Sequence, residues 1–168
     1  LVGGAGNDFY RFDRDAITGA NNIGHTVVEN LGEGNDTIWA GGGADFVAAD
    51  QHIGVVGHDQ VAGEAGADSL YGHEGNDTLD GGDDADLIAG GLGNDRLLGG
   101  AGADSLFGDD GQDRLFGDAG HDSVWGGDGN DQLAGGDGLD TLRGQAGADT
   151  LDGGNDNDFL IGGAGDDR

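Results

Sequence analysis

The sequence predicts an all-β fold: a parallel β-roll (a β-helix or solenoid) of 18-residue coils, with a thin apolar core between two sheets. Three observations predict it. From Gly54 to Arg168 the chain divides into twelve nine-residue units and a partial thirteenth, without a single insertion. Each full unit carries Gly at its first position, Asp at its sixth, and Val, Leu or Ile at its eighth. Glycine fills 41 of 168 positions and Pro, Cys and Met are absent, against a usual glycine share of ~7%. A fixed period of this kind marks a repeat architecture, in which each unit buries its apolar residue only against its neighbours.

Within a unit the turn comes first. GEAGADSLY (Gly63 to Tyr71), GHEGNDTLD (Gly72 to Asp80) and GGLGNDRLL (Gly90 to Leu98) show the plan. Positions one to six need a tightly curved backbone with residues at positive φ, which Gly adopts without steric cost. Positions seven to nine are the predicted strand. Side chains on a strand alternate between its faces, so the eighth points inward and the seventh and ninth outward. The predicted core is therefore Val61, Leu70, Leu79, Ile88, Leu97, Leu106, Leu115, Val124, Leu133, Leu142, Leu151 and Leu160. High charge with few aromatics usually keeps a chain disordered, but disorder does not require an apolar residue at constant phase through twelve units. One such residue in nine is nevertheless a thin core for a chain so rich in Gly, whose ordering costs the most entropy. Another source of stability is needed.

The sixth position supplies it. Asp59, Asp68, Asp77, Asp86, Asp95, Asp104, Asp113, Asp122, Asp131, Asp140, Asp149, Asp158 and Asp167 recur there, and the chain as a whole has a formal charge of −28. Stacking sets equivalent Asp residues ~4.8 Å apart along one edge, where uncompensated carboxylates repel. Carboxylates beside Gly-rich turns that expose carbonyl groups are the oxygen donors that Ca²⁺ prefers. The units read G-G-x-G-x-D-x-U-x with U apolar, and this pattern resembles the RTX (repeats-in-toxin) family, the haemolysin-type calcium-binding repeats.

The resemblance implies a right-handed roll with each ion held between a turn and the turn one coil further on, by the sixth-position Asp and turn carbonyls. Asp59 would then share an ion with Asp77, Asp68 with Asp86, and so on to Asp149 with Asp167. About eleven ions or more would add about +22 to the formal charge of −28, leaving an ordinary soluble surface. The resemblance also implies a bacterial protein exported by type I secretion that folds on meeting calcium outside the cell or at its surface. The module would belong to a larger toxin, protease, lipase or adhesin. Two units, GGDDADLIA and GGNDNDFLI, carry Asp84 and Asp156 at the fourth position; these are either strained turns or extra ligands.

Before Gly54 the phase breaks, so residues 1–53 are expected as irregular coils of the same roll and residues 54–168 as its regular part. Gly3 to Arg11 is one unit, and Leu31 to Trp39 with Ala40 to Ala48 form a pair, followed by a five-residue insertion, residues 49–53. Asp8, Asp36 and Asp45 fall at the sixth position of these units and are further calcium-ligand candidates. Thr26 to Glu29 reads as a strand, and residues 17–23 as looped out. The chain starts inside a repeat, and its last unit lacks an inward residue. Flanking sequence that caps the roll is therefore expected.

Other chemistries find little support. His58 and His121 sit at the variable fifth position as turn residues, and no His pair has metalloprotease spacing. Ser69, Ser105 and Ser123 are outward strand residues with no oriented base, so no enzyme activity is expected in this chain. An acidic chain repels nucleic-acid phosphates and anionic membranes, and no apolar run is long enough for a membrane span. One outward column reads Tyr71, Ala89, Phe107, Trp125, Arg143, Ile161. Such a column either docks a protein or glycan partner or stabilises the sheet by cross-strand stacking.

Overall fold

The computed structural model describes residues 57–168 and, before them, four short strands. In chain order the strands are β1 (Phe9–Arg11), β2 (Thr26–Val28), β3 (Thr37–Trp39), β4 (Phe46–Ala48), β5 (Gln60–Ala65) and β6 (Ser69–Glu74). Then follow β7 (Thr78–Asp83), β8 (Leu87–Leu92), β9 (Arg96–Gly102), β10 (Ser105–Asp110) and β11 (Arg114–Gly120). β12 (Ser123–Asp128), β13 (Gln132–Asp137), β14 (Thr141–Ala146), β15 (Thr150–Asn155) and β16 (Phe159–Ala164) complete the series. Odd strands form one eight-stranded sheet and even strands the other, with every pair parallel. This is the predicted parallel solenoid. No helix occurs among the described residues, so none there is long and apolar enough to cross a membrane.

Register follows the repeat. From β5 onward each residue pairs with the one 18 positions on, as Leu106 does with Val124. Thr37 pairs with Gln60, 23 residues on, so this coil is five residues longer than the regular step, the length of the insertion seen in the sequence. The expected strand at Thr26 is β2, paired with β4. Residues 17–23 and 49–53, by contrast, lie outside the described residues.

The core is the eighth-position column. Val61, Leu70, Leu79, Ile88, Leu97, Leu106, Leu115, Val124, Leu133 and Leu142 form one cluster at 0–2% exposure. Leu151 packs against it half-buried, whereas Leu160 is 42% exposed in β16, the end strand of its sheet.

Two expectations about the unit are corrected. The strand runs through six or seven residues rather than three, because it continues across positions one to three of the next unit. β7, for example, alternates half-buried, buried, exposed, buried over Thr78, Leu79, Asp80 and Gly81. The first-position Gly is thus a second inward residue of the strand. Positive φ is confined to the second and fourth positions, as at Gly91 and Gly93. Asp84 and Asp156 adopt φ of 81° and 77°, so the two unusual turns are strained, since L-residues other than Gly pay for this region.

Candidate metal centre

Each turn presents its Asp to the inside. After β5 the chain bends at Gly66, and Asp68 then turns its carboxylate back beneath the strand it has just left. All eleven sixth-position Asp residues from Asp59 to Asp149 are only 1–4% exposed. Asp158 is half-buried and Asp167 exposed, both in the last coil and a half. Asp8, Asp36 and Asp45 lie outside the described residues.

The buried Asp residues are stitched from coil to coil. The N–H of Asp86 donates to Oδ1 of Asp104 at 2.8 Å, that of Asp104 to Oδ1 of Asp122 at 2.9 Å, and that of Asp122 to Oδ1 of Asp140 at 2.8 Å. The other edge repeats this from Asp59 to Asp167. Main-chain carbonyls are used as well, since Asp104 accepts the N–H of Ser123 at 2.9 Å. From Asp77 to Asp167, one oxygen of each carboxylate is therefore committed to the neighbouring coil.

The second oxygen is not. Oδ2 of Asp86, Asp95, Asp104, Asp113, Asp122, Asp131, Asp140 and Asp149 is buried without a hydrogen-bond partner. It faces a space that only glycine leaves open. A Cβ built on Gly99 would stand 2.5 Å from Oδ2 of Asp104 and 2.8 Å from the carbonyl oxygen of Gly117, one coil on. Gly108 repeats this at 2.5 Å from Oδ2 of Asp113, beside the carbonyl oxygen of Gly126. A carboxylate oxygen and a carbonyl oxygen thus converge on one small volume with no donor between them.

Burying a carboxylate in this way is unfavourable. Burial pushes Asp86 and Asp95 up to about 7, and neighbouring Asp residues add to the rise, while the N–H each accepts pulls the other way. Burial likewise raises Asp113, Asp122 and Asp131 to about 6, and it raises Asp104 and Asp140. Buried charges in proteins are paired or coordinate metals. A divalent, oxygen-preferring cation would supply both the missing partner for Oδ2 and the compensating charge, so the residues present fit Ca²⁺. Among the described residues no three His, Cys, Asp or Glu side chains gather as a metal cluster. The oxygens that converge at each turn are a carboxylate oxygen and a main-chain carbonyl from successive coils, and these would hold such a cation.

Sequence reasoning placed the Asp column along the edges of the roll, without its burial, and missed two contributors. The first-position Gly is needed for the space it leaves rather than for its φ, and no hydropathy pattern reveals that. Fifth-position side chains also take part: Nδ1 of His58 accepts the N–H of Asn76 at 2.7 Å, and Nδ1 of His121 that of Leu139 at 2.8 Å. The recurrence of Asn at 76, 94 and 130 was the available signal.

Comparison with known families agrees with this geometry. A family model described as the RTX calcium-binding nonapeptide repeat, in four copies, matches residues 31–51, 53–88, 80–115, 89–124, 107–142 and 135–168. The first stretch takes in the pair of units at Leu31 and Ala40, ahead of the regular array. No curated protein matches the chain. With repeats of one family spanning well over half its length, folded into a parallel β-roll with a buried Asp column, the chain belongs to the RTX calcium-binding nonapeptide-repeat family.

Proposed function

We propose that this chain is the calcium-responsive folding module of a larger bacterial protein, exported by type I secretion and folded outside the cell. The observation that carries this reading is the file of buried Asp Oδ2 atoms from Asp86 to Asp149 that have no hydrogen-bond partner. Without a cation each is a desolvated charge, and ions that bind only the folded state drive folding by mass action. In calcium-poor cytoplasm the module stays unfolded, compatible with passage through a secretion channel; in calcium-rich surroundings it closes into the roll. In this reading the ligands are the sixth-position Asp residues with turn carbonyls, about eleven ions in the regular array. The roll itself does no catalysis; any toxin, protease, lipase or adhesin activity belongs to other parts of the parent. Small-angle scattering of the whole chain tests the switch: an expanded coil at submicromolar calcium should collapse to a rod at millimolar calcium. Equal dimensions at both concentrations would overturn it.

A second reading, a rigid adhesive spacer, draws on the outer face of the even-strand sheet. Phe107 and Trp125 stack there at 4.5 Å with ring planes 2° apart. Tyr71 lies on the same column and stacks against His73 at 6.3 Å. At the positions that alternate with the buried column, Asp109 is the one acidic residue of the even strands from β6 to β16, with Asp110 and Asp128 exposed at the strand ends, whereas the opposite face carries Glu64, Asp80, Asp118 and Asp152. A flat, nearly uncharged aromatic face suits a protein or glycan surface. Trp125→Ala in the calcium-loaded roll should abolish such binding while leaving the fold intact; undiminished binding would favour a purely stabilising stack.

A further inference from the structure

The fifth position of the repeat has no fixed residue, yet on one edge of the roll it builds a ladder. The N–H of Asn94 donates to Oδ1 of Asn76 at 2.7 Å, that of Gln112 to Oδ1 of Asn94 at 2.8 Å, and that of Ala148 to Oδ1 of Asn130 at 2.7 Å. With the bond from Asn76 to His58, four steps of this edge are bridged. On the other edge the same position holds Ala67, Ala85 and Ala103, which have no side-chain acceptor. Among the described residues that edge has one such bond, from Leu139 to His121.

The two ladders run in opposite directions. A fifth-position N–H reaches back to the preceding coil, while the next residue's N–H reaches forward to the Asp of the following coil. Where both exist, consecutive amides tie the turn to the coil on either side. Where Ala67, Ala85 and Ala103 stand at the fifth position, the turn one coil further on lacks one of these ties directly beside its Asp.

We infer that the two edges bind calcium unequally: the Asn-laddered edge holds the tighter sites, and the fifth residue is a positioning residue for the adjacent ion. This rests on the calcium reading above. A turn already fixed in place loses less conformational freedom when an ion arrives, and that saving appears as affinity. The net worth of one neutral hydrogen bond corresponds to about a fivefold change in a binding constant. The strong sites are then those between Asp59 and Asp77, Asp77 and Asp95, Asp95 and Asp113, and Asp131 and Asp149.

Two triple variants of the whole chain test this by chelator-competition titration. Asn76→Ala, Asn94→Ala and Asn130→Ala together remove three bridges and should weaken three of the four tight sites about fivefold, leaving the His58-bridged site and the weak class unchanged. Ala67→Asn, Ala85→Asn and Ala103→Asn should add bridges on the other edge and tighten its sites about fivefold. None of those three alanines has a positive φ, so Asn fits the backbone. Amide exchange supplies a second readout, because the added bridge from Ala103→Asn should protect the His121 N–H. If the loss variant fails to fold, the gain variant decides. A wild-type chain with one uniform class of sites, or variants that bind calcium like wild type, would overturn the inference. A chain that binds no calcium would overturn the reading beneath it instead.

Discussion

Asp104 joins three coils through one residue. Its Oδ1 accepts the N–H of Asp86, its own N–H donates to Oδ1 of Asp122, and Oδ2 faces the space above Gly99. Asp104→Ala should strand the N–H of Asp86, at about 1–3 kcal/mol, and remove a carboxylate from two calcium sites. Calcium stoichiometry should fall and the midpoint should rise. Ser105→Ala, one residue along and half-buried on the outer face, should change stability by less than ~0.5 kcal/mol; equal effects of the two variants would contradict the phase. Gly99→Ala should weaken calcium binding strongly although it removes no ligand, because its Cβ would occupy the space facing Oδ2. A calcium titration matching wild type would contradict that. The Asp was legible in the sequence because a carboxylate repeated at constant period, beside Gly-rich turns, points to a shared cation. The demand on Gly99 was not, since a residue without a side chain leaves no trace in hydrophobic alternation.

Strands in this roll are held by their neighbours rather than by their own length. Each pairs with the strand one coil away, and each from β5 to β14 contributes one buried aliphatic side chain to the core, as Leu106 does between Ile88 and Val124. Leu106→Ala, at a fully buried site, should cost about 2–5 kcal/mol in denaturant unfolding of the calcium-saturated chain. Leu160→Ala, at a site 42% exposed, should cost clearly less; the same loss at both would contradict the core assignment. The inward phase of these leucines followed from the sequence, as did the pairing of sheets by alternate units. Strand length did not, because the second inward position is Gly81 or its equivalents, whose burial depends on the neighbouring carboxylate rather than on hydrophobicity. The fifth-position ladder was hidden for a related reason: its rungs mix His, Asn and Gln and become a pattern only once the 18-residue register is known.

The molecule as a whole is a stack of buried carboxylates that must be neutralised by metal or by protons. Asp86 and Asp95 at about 7, and Asp113, Asp122 and Asp131 at about 6, all lie above the ordinary carboxylate value of ~3.9. A raised folded-state value stabilises the metal-free roll fully below the unfolded-state value, and that stabilisation is lost as pH rises through 6 to 7. In calcium-free buffer, acidification from neutral pH should therefore increase β-structure by circular dichroism, while calcium binding weakens as protons compete. A β-signal that falls on acidification would contradict the burial of these groups. If calcium completes the fold, far-ultraviolet circular dichroism of the whole chain should follow the ion. A coil-like spectrum in chelator should convert cooperatively to a β-spectrum as calcium reaches the millimolar range and revert when chelator is restored. A β-spectrum that persists unchanged in chelator at neutral pH would contradict it.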